Sequence, residues 1–467
     1  MIPLEFVRRS EALARAVPVA ADGVPRKPGR AARAGFGAGA GSVAEVVTRK
    51  RRHVLIRCDA ELEAAGAIAV ARLSMVEHIA IDARGWRAED AAQFAAGAVL
   101  RAWRFRRFLT RPDPERPLLG RIDVMVDDPD AAAAAWGVLE AGVRGALFAR
   151  DMVVEPGNEL TPAGFVGHLR ALERHGIEVE VLEVPQLREH GFGGVLAVGG
   201  GSAHPPCVAV LRWAGTLPGA PVMFVGKGIT FDTGGVCIKP AQGLWEMRAD
   251  MAGAAAAAGA LLALALRRSA APAVAILALA ENAIGGASYR PGDVLRMQSG
   301  TTVEIVDTDA EGRLVLADSL AWGIARFKPQ AVIDLATLTG SVVTALGHHM
   351  AGMFSTSDVL AAHLASAGSA VGELAWRMPL HEGYGDALES DIADIRQCSD
   401  GSLQPDACLA AHFLHGFVGD TPWVHLDIAG VESQEKASER YAAGPTGWGV
   451  RLLDRLVRDR FEDAHRG

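Results

Sequence analysis

Cysteine is scarce in this sequence, and its spacing excludes the sites that cysteine usually builds. Only 5 of the 467 residues are cysteine, an odd number, and no two of them form a CxxC pair. Neither a disulfide framework nor a thiolate zinc cluster is therefore expected. The cysteines are Cys58, Cys207, Cys237, Cys398 and Cys408.

Several motifs of hydrolases and nucleotide-binding proteins are also missing. The sequence contains no HExxH zinc motif, no GxSxG nucleophile elbow and no G-x4-GK-[ST] phosphate loop. None of the 14 histidines belongs to an evident cluster, and the adjacent His348 and His349 would face apart in an extended chain. Serine-hydrolase and histidine-zinc chemistry are disfavoured.

No apolar segment is long enough to span a membrane. The longest runs over 252–266, stops at Arg267, and is shorter than the ~20 residues that a spanning helix needs. Glu5 and Glu11 interrupt any signal-peptide or transit-peptide pattern. The formal charge of −8, from 47 basic and 55 acidic residues, argues against a whole-chain nucleic-acid binder. We expect a cytoplasmic globular protein.

The length predicts more than one domain, because single hydrophobic cores stop growing at ~250–300 residues. Strand-like runs alternate with a helical stretch over about 90–108, which is the pattern of an α/β unit. A breaker cluster at 155–158 ends this unit, and Thr161-Pro162 fits a helix start. We predict a smaller N-terminal α/β domain over 1–152. Its strand-like runs are 54–56, 79–81 and 122–126.

The remainder, 153–467, is predicted as a larger C-terminal α/β domain that begins with a linking helix. Its short apolar runs lack clean alternation, as expected of a mixed, largely parallel sheet covered by helices on both faces. Several runs end in glycine or charged residues, where parallel strands carry ligand-binding loops. The runs are 208–211, 222–225, 274–279, 332–335 and 424–428.

A glycine-rich loop follows the run 222–225. The segment GKGITFDTGGVCIKP, residues 226–240, brings together Lys227, Asp232 and Lys239. A phosphate-binding loop is one interpretation, although its spacing and the lack of an immediately following helix disfavour it. A plain turn is the other.

Two further segments carry carboxylates. Asp250 precedes the alanine-rich run, a position where aspartate is commonly an N-cap. Asp309, Glu311 and Arg313 lie in DTDAEGRL, residues 307–314, and share one side if the backbone is extended. A solvated acidic loop is the alternative, but flanking apolar residues place the segment at the edge of a buried strand. Clustered buried carboxylates need a cation.

Together, four carboxylates offer enough oxygen to hold two divalent cations ~3.5–4 Å apart, as in dinuclear hydrolases. Such a hard, oxygen-rich set suits Mn, Mg or Zn better than Cu. The residues are Asp232, Asp250, Asp309 and Glu311.

These segments resemble the leucyl aminopeptidase (cytosol aminopeptidase) family of dinuclear metallopeptidases. The resemblance is carried by GKGITFDTGG, MRADM and TDAEGRL, and it continues through DLATLTG, PWVHLDIAG and TGWGVR. It is strong from about residue 150 to the C-terminus. It implies that 153–467 is a catalytic domain that removes N-terminal residues from peptides.

The resemblance implies two divalent metal ions per subunit, Mn or Zn. Asp232 and Glu311 would bridge them, and Asp309 would complete the more exchangeable site. Asp250 and Lys227 would complete the tighter site, with the lysine as a neutral amine, a state that nearby cations favour.

The resemblance also implies catalytic residues. Lys239 would polarise the scissile carbonyl and stabilise the oxyanion. Arg313 would hold a bicarbonate ion that takes the proton from a metal-bridging water, which attacks as hydroxide. A graded, leucine-like preference and a homohexamer with interior-facing sites are implied as well. Substrate-binding positions fall at Lys239, Met247, Thr337, Leu338 and Gly340.

Two departures from the family pattern stand out. Asp307 replaces the usual asparagine and predicts an extra negative charge near the leaving-group pocket, so that acidic second residues are disfavoured. A glycine-rich run that normally follows 391–395 is replaced by residues 398–406.

Two other functions stay open at this point. One is a regulatory or nucleic-acid-binding role on the same fold, through the basic cluster 49–52, although nucleic acid is not the expected partner. The other is a dinuclear phosphoesterase, which two metals with Lys and Arg could serve.

Overall fold

The structure is a computed structural model. It describes residues 1–20, 43–47, 52–58, 61–73, 76–111, 119–401, 405–438 and 441–462. Most of the basic cluster 49–52 lies outside the described residues, and so does the centre of the 398–406 segment.

Two compact units divide the chain. The first comprises Met1–Leu147 with Gln434–Gly444, and the second comprises Phe148–Ser433 with Pro445–Gly467. The predicted division into domains at 152 and 153 stays a prediction.

The first unit contains a six-stranded sheet of order β1-β6-β5-β2-β4-β3, parallel except for the β3–β4 pair. Apolar residues such as Val54, Ile79 and Ile122 fill its buried strands. The strands are β1 Leu4–Val7, β2 Ala14–Ala20, β3 Val43–Val47, β4 Arg52–Cys58, β5 His78–Asp82 and β6 Arg121–Met125.

Two helices of this unit pack at very close range because glycine lies at their contact. A Cβ on Gly66 would lie 1.9 Å from the Phe94 carbonyl oxygen, and one on Gly97 would lie 1.8 Å from that of Glu63. The helix predicted over 90–108 ends at Ala102, because the backbone of Trp103 is extended. Arg104 Nη1 then donates to the Arg101 carbonyl at 2.9 Å. The helices are α1 Leu62–Leu73, α2 Ala88–Ala102 and α3 Pro129–Val154, which continues into the second unit's residues.

The second unit is built on an eight-stranded mixed sheet of order β15-β14-β17-β13-β9-β10-β8-β7. Its four central strands, β17, β13, β9 and β10, are mutually parallel, as predicted for this half of the chain. The strands are β7 Glu178–Leu182, β8 Cys207–Trp213, β9 Val222–Asp232, β10 Ala273–Asn282, β13 Ala331–Ala336, β14 Ala351–Ser355, β15 Ala375–Arg377 and β17 Trp423–Asp427.

Helices cover both faces of this sheet, which explains why its strands read as continuous apolar runs. On one face Val208 and Met223 share a core with Leu316 and Leu320. On the other face a Cβ on Gly226 would lie 2.5 Å from Ala254 Cα, so the apolar helix α7 packs directly on β9. The helices are α4 Pro162–Arg170, α5 Val184–His190, α6 Gly193–Val198, α7 Ala252–Leu266, α8 Gly312–Phe327, α9 Gly340–Leu346, α10 Asp358–Val371, α11 Asp406–His415 and α12 Val450–Leu456.

A local signal confirms one sequence prediction. Thr161 caps α4 by accepting a hydrogen bond from Gly164 N at 3.2 Å, with Pro162 as the first helical residue. The prediction that no apolar segment is long enough to span a membrane is wrong, because a helical turn precedes the apolar run and Leu244–Leu266 together have the length and mean hydropathy of a span. Of the 18 residues that carry this hydropathy, 89% are buried inside the protein, as in a core helix. Shorter elements are the strands β11 Val294–Arg296, β12 Thr302–Glu304, β16 Ile395–Arg396, β18 Ser433–Gln434 and β19 Gly444–Pro445, and the helical turns Glu173–His175, Gly199–Gly201, Leu244–Ala249, Glu382–Leu388 and Val457–Glu462.

Candidate metal centre

The candidate site lies at the carboxyl ends of the central parallel strands. β9 ends at Asp232, β10 at Asn282 and β17 at Asp427, and Thr337 directly follows β13. Because these strands are parallel, their ends meet at one edge of the sheet, where α/β proteins usually bind ligands. The sequence-predicted loops therefore converge here.

A β-bulge in β9 brings Lys227 and Asp232 to the same face. Five positions apart, the two side chains would point to opposite faces of a regular strand. The register between β9 and β10 shifts at Ala280, so Thr230 is an extra residue opposite β10. One inserted residue reverses the alternation. The lysine within the strand and the aspartate at its end thus serve one site.

Lys227, Asp250 and Glu311 form a cluster that we call the inner cluster. Lys227 Nζ lies 2.8 Å from Asp250 Oδ1 and 2.9 Å from Glu311 Oε1, and it donates to the Thr337 carbonyl at 2.9 Å. The three side chains are 4%, 9% and 1% exposed. A Cβ on Gly312 would lie 2.8 Å from Lys227 Cε, so glycine at this position leaves room for the lysine beside Glu311.

Burial and mutual repulsion shift the pKa values of the inner cluster. Burial first, and then Asp232, raise the pKa of Glu311 to about 8. Burial raises the pKa of Asp250 to about 6, although Lys227 opposes this. Burial by itself lowers the pKa of Lys227, but three surrounding carboxylates raise it above its ordinary value. The cluster contains more negative charge than one lysine can balance.

Lys239, Asp232 and Asp309 form a second cluster, the outer cluster. Lys239 Nζ lies 3.0 Å from Asp232 Oδ2 and 2.5 Å from Asp309 Oδ1. Lys239 is 21% exposed and Asp309 33% exposed, so solvent reaches this cluster. Burial, followed by the Asp232 charge, raises the pKa of Asp309 to about 6. Burial alone lowers the pKa of Lys239, but Asp232 and Asp309 raise it above its ordinary value.

The backbone at Asp309–Arg313 differs from the sequence prediction. The prediction of an extended segment is wrong: Glu311 has helical dihedral angles and caps α8, and Arg313 is the second residue of that helix. The physical reason is that the apolar run after Arg313 is buried as a helical face, not as a strand. Glu311 and Asp309 still converge, because a turn of Asp307–Ala310 precedes the helix.

The donor set fits divalent metal ions. Oxygen atoms of Asp232, Asp309 and Glu311 lie within 4.8 Å of one another. Glu311 Oε2 and Asp250 Oδ2 are buried and have no hydrogen-bond partner among the described residues. Buried carboxylate oxygens without a donor are destabilising unless a cation binds them. The set is hard and rich in oxygen, which suits Mn, Mg or Zn.

The geometry also decides between the alternatives left open for single motifs. Asp250 does not cap α7; its Oδ1 accepts from Lys227 Nζ and from Thr337 Oγ1 at 2.7 Å. Lys227 lies inside a strand and points to carboxylates, so the glycine-rich loop is neither a phosphate loop nor a plain turn. His348 contacts the Gly430 carbonyl through Nδ1 at 2.8 Å, a structural contact.

The five remaining predicted substrate positions lie around the two clusters. Thr337 contacts Asp250, and Leu338 N donates to Asp427 Oδ1 at 3.1 Å. Gly340 begins α9, which Thr339 caps. Met247 is partly buried in the turn before Asp250, and Asp307 Oδ1 accepts from Asp309 N at 2.8 Å.

Sequence reasoning missed three residues that hold the site in place. Asn282 Nδ2 donates to Asp232 Oδ1 at 2.8 Å and to the Thr308 carbonyl at 3.0 Å. Gln397 Oε1 accepts from Val306 N at 2.7 Å. Asp406 Oδ1 accepts from Arg313 Nη2 at 2.8 Å. Asn282 was detectable as the polar end of a buried strand, whereas the other two carry no motif.

Comparison with known proteins gives a consistent result. Residues 147–454 match the cytosol aminopeptidase family, catalytic domain. The chain belongs to this family. It is a leucyl aminopeptidase-type, metal-dependent hydrolase, as the residue pattern predicted.

Relatives and solved structures agree with this assignment. A protein named probable cytosol aminopeptidase from Methylobacterium radiotolerans is 46% identical over 378 residues, which is 80% of this chain and 75% of the relative. One of the same name from Gluconobacter oxydans is 44% identical over 397 residues, covering 85% and 81%. The bottromycin maturation enzyme BotP in complex with Mn matches with a TM-score of 0.86 and 34% identity, over 96% of this chain and 99% of that one.

Proposed function

We propose that this aminopeptidase uses two divalent metal ions, Mn or Zn, to release N-terminal amino acids with a leucine-like preference. The observation that carries the proposal is the pair of lysine–carboxylate clusters at one sheet edge, with buried oxygens of Glu311 and Asp250 that lack a donor among the described residues. The complex of BotP with Mn supports the choice of metal.

The metal ligands are assigned as the family resemblance implies. Asp232 and Glu311 would hold both ions. Asp250 and Lys227 would belong to a tight site, and Asp309 to an exchangeable one. The near-complete burial of the inner cluster and the partial exposure of Asp309 support this order.

Different residues of the chain have different roles in peptide cleavage. When bound, the two ions supply a water that acts as hydroxide near neutral pH and polarise the scissile carbonyl. Lys239, released from Asp232 and Asp309, donates a hydrogen bond to the carbonyl oxygen as negative charge develops on it. Asn282 keeps Asp232 oriented through the hydrogen bond at 2.8 Å.

Substrate selection rests on the residues around the outer cluster. A free α-amine would be held at the inner site, which would favour peptides with unblocked N-termini. Met247, Thr337, Leu338 and Gly340 border the first side chain, and a partly apolar border gives a graded preference, because one methylene is worth ~1–3 kcal/mol. Asp307 places a negative charge beside Asp309, which disfavours acidic second residues.

Arg313 is proposed to hold an anion beside the site, as the family resemblance implies. That resemblance predicts bicarbonate as the anion. The contacts of Arg313 favour a carboxylate of the chain itself, because its Nη2 donates to Asp406 Oδ1.

From the resemblance we also propose that the protein is a homohexamer with a cytoplasmic location. Along the chain, an N-terminal domain over 1–152 precedes a catalytic domain over 153–467. The name shared by the relatives supports the cytoplasmic location.

Turnover of two chromogenic substrates tests the proposal. Metal-loaded protein is expected to hydrolyse leucine p-nitroanilide and to leave p-nitrophenyl phosphate and N-acetyl-leucine p-nitroanilide intact. Phosphate ester hydrolysis without release of leucine would favour the phosphoesterase instead. Salt-dependent retention of an inactive protein on DNA would favour the binding role.

A further inference from the structure

The Arg313 side chain is already paired with a carboxylate of the chain. It is 3% exposed, and its Nη2 donates to Asp406 Oδ1 at 2.8 Å. Its Nη1 donates to the Gln397 carbonyl at 3.1 Å. Its Nε is buried and is the guanidinium nitrogen that has no partner in the part of the chain that the structure describes. A buried arginine needs a counter-charge, and here Asp406 supplies it.

Local structure fixes Asp406 in this position. Asp406 is the first residue of α11, and the next residue, Ala407, donates its N–H to Ser341 Oγ at 2.7 Å. A carboxylate in the first turn of a helix is favoured by the helix dipole. Its bond to the guanidinium is charge-assisted, and such bonds are about twice as strong as neutral ones. The side chain is 40% exposed, so solvent reaches one side of the pair.

A free bicarbonate ion fits poorly beside this pair. It would have to share the Nη2 edge with Asp406, and two anions at one guanidinium repel each other. Nη1 and Nη2 already donate to Gln397 and Asp406, which leaves Nε as the guanidinium nitrogen without a partner among the described residues. Asp406 also lies in the segment 398–406 that replaces the glycine-rich run of the family, so the carboxylate belongs to this chain's departure from the family pattern.

We infer that Asp406 is a positioning residue that occupies the anion site of Arg313, so that this enzyme needs no external bicarbonate. The inference rests on the proposed function, because it concerns the anion beside the proposed metal centre. A carboxylate carries the same single charge and a similar pair of oxygens. Removing it should open the site and make the protein dependent on an added oxyanion.

Bicarbonate titration of wild type and Asp406→Gly tests the inference. In carbonate-free buffer the metal-loaded wild type is expected to release leucine at a rate that changes less than about twofold on adding bicarbonate. Asp406→Gly is expected to lose about 10–100-fold, the usual cost of removing a group that orients a site, and to recover with saturating bicarbonate or formate. Asp406→Asn fills the same space without charge, so it should be impaired and recover little.

A matched control separates this effect from helix destabilisation. Asp358 is also the first residue of a helix, α10, and it pairs with Arg377 Nη2 at 2.6 Å on the surface, where its side chain is 89% exposed. Asp358→Gly should leave the rate and its lack of bicarbonate dependence unchanged. A loss in Asp406→Gly that neither bicarbonate nor formate reverses would overturn the inference, because it would show a structural role only.

Binding provides a readout that is independent of turnover. Protein freed of unbound metal should show saturable broadening of the 13C-bicarbonate signal for Asp406→Gly and none for the wild type. Bicarbonate dependence or saturable binding in the wild type would overturn the inference even if peptide cleavage is confirmed. A wild type that cleaves no peptide would overturn the proposed function instead, and the binding experiment would still decide the state of Arg313.

Discussion

The inner and outer clusters contain the same kinds of residue in different surroundings. Each combines one lysine with two carboxylates at distances of 2.5–3.0 Å. The inner side chains are 9% exposed or less, whereas Lys239 is 21% and Asp309 33% exposed. The inner lysine belongs to a strand, and the outer one to a glycine-rich loop.

The difference shows how one sheet edge can serve two purposes. The inner carboxylates are shielded from solvent, so a cation bound there would exchange slowly. The outer cluster is open to solvent, and under the proposed function its lysine would leave its partners and face the substrate. In that proposal burial, rather than residue type, distinguishes the residues that retain metal from those that contact the peptide.

Glu311→Gln is expected to have the largest effect, because Glu311 belongs to the inner cluster and lies within 4.8 Å of the outer carboxylates. Loss of its charge should remove both metals and lower kcat/KM by more than ~10³-fold. This is a larger decrease than the removal of a single oxyanion-hole donor usually causes. Metal content by mass spectrometry and leucine release check this. Glu304→Gln, which disrupts a partly buried pair with Arg396 outside both clusters, is the control and should remain active. Full metal content in Glu311→Gln would contradict the bridging role.

Lys239→Ala should separate chemistry from metal binding. Because Lys239 is proposed to face the carbonyl, kcat should fall by ~10²–10³-fold with metal content retained. Steady-state kinetics and metal analysis measure the two properties, and Lys436→Ala, an exposed lysine, is the control. An unchanged kcat would remove Lys239 from the mechanism.

Asp250→Asn and Asp309→Asn should differ in the metal that they lose. Asp250 is in the buried inner cluster and Asp309 in the exposed outer one. The Asp309 variant should lose one ion to a weak chelator and keep the other, and the Asp250 variant should lose the slowly exchanging ion. Chelator-competition time courses measure this, with losses of ~10–100-fold in affinity. Identical time courses would remove the distinction between the clusters.

Metal-free protein should become less stable as pH rises from about 5 to 8. The pKa of Glu311 is raised from 4.5 to about 8, so its neutral form stabilises the fold at low pH and that contribution is lost as pH rises through 8. Asp250 and Asp309, raised to about 6, act in the same direction. The raised pKa of Lys227 adds stability that is lost only above 10.5, outside this window.

Urea unfolding of metal-free wild type and Glu311→Gln measures this effect. The variant should lose less free energy of unfolding than the wild type over that window, and bound metal should remove the difference. Parallel pH dependence in both metal-free proteins would show that Glu311 does not titrate as described.

The loops that carry the site were recognisable from sequence because their chemistry is local. Lys227, Asp232 and Asp309 lie in segments whose charged residues cannot be explained as part of a hydrophobic core. The β-bulge at Thr230 and the helical start at Glu311 were not recognisable, because both depend on how distant strands and helices pack. The pairing of Arg313 with Asp406 joins residues 93 positions apart and follows from the placement of α11, which no motif records.

Asp307→Asn should have the smallest effect. The asparagine oxygen can still accept from Asp309 N, so the turn is preserved while one charge is lost. The ratio of kcat/KM for Leu-Arg over Leu-Asp dipeptides should fall a few-fold, as expected of a partly exposed charge. Dipeptide competition measured by chromatography tests this. An unchanged ratio would show that Asp307 does not act on the second residue.

Metal titration of the metal-free protein tests whether the inner and outer clusters each hold one ion. Leucine release should reach its maximum at two equivalents of Mn or Zn per chain, with a tightly bound first ion that gives little activity by itself. Full activity at one equivalent, or in protein shown to be metal-free, would contradict the account of an inner and an outer metal site.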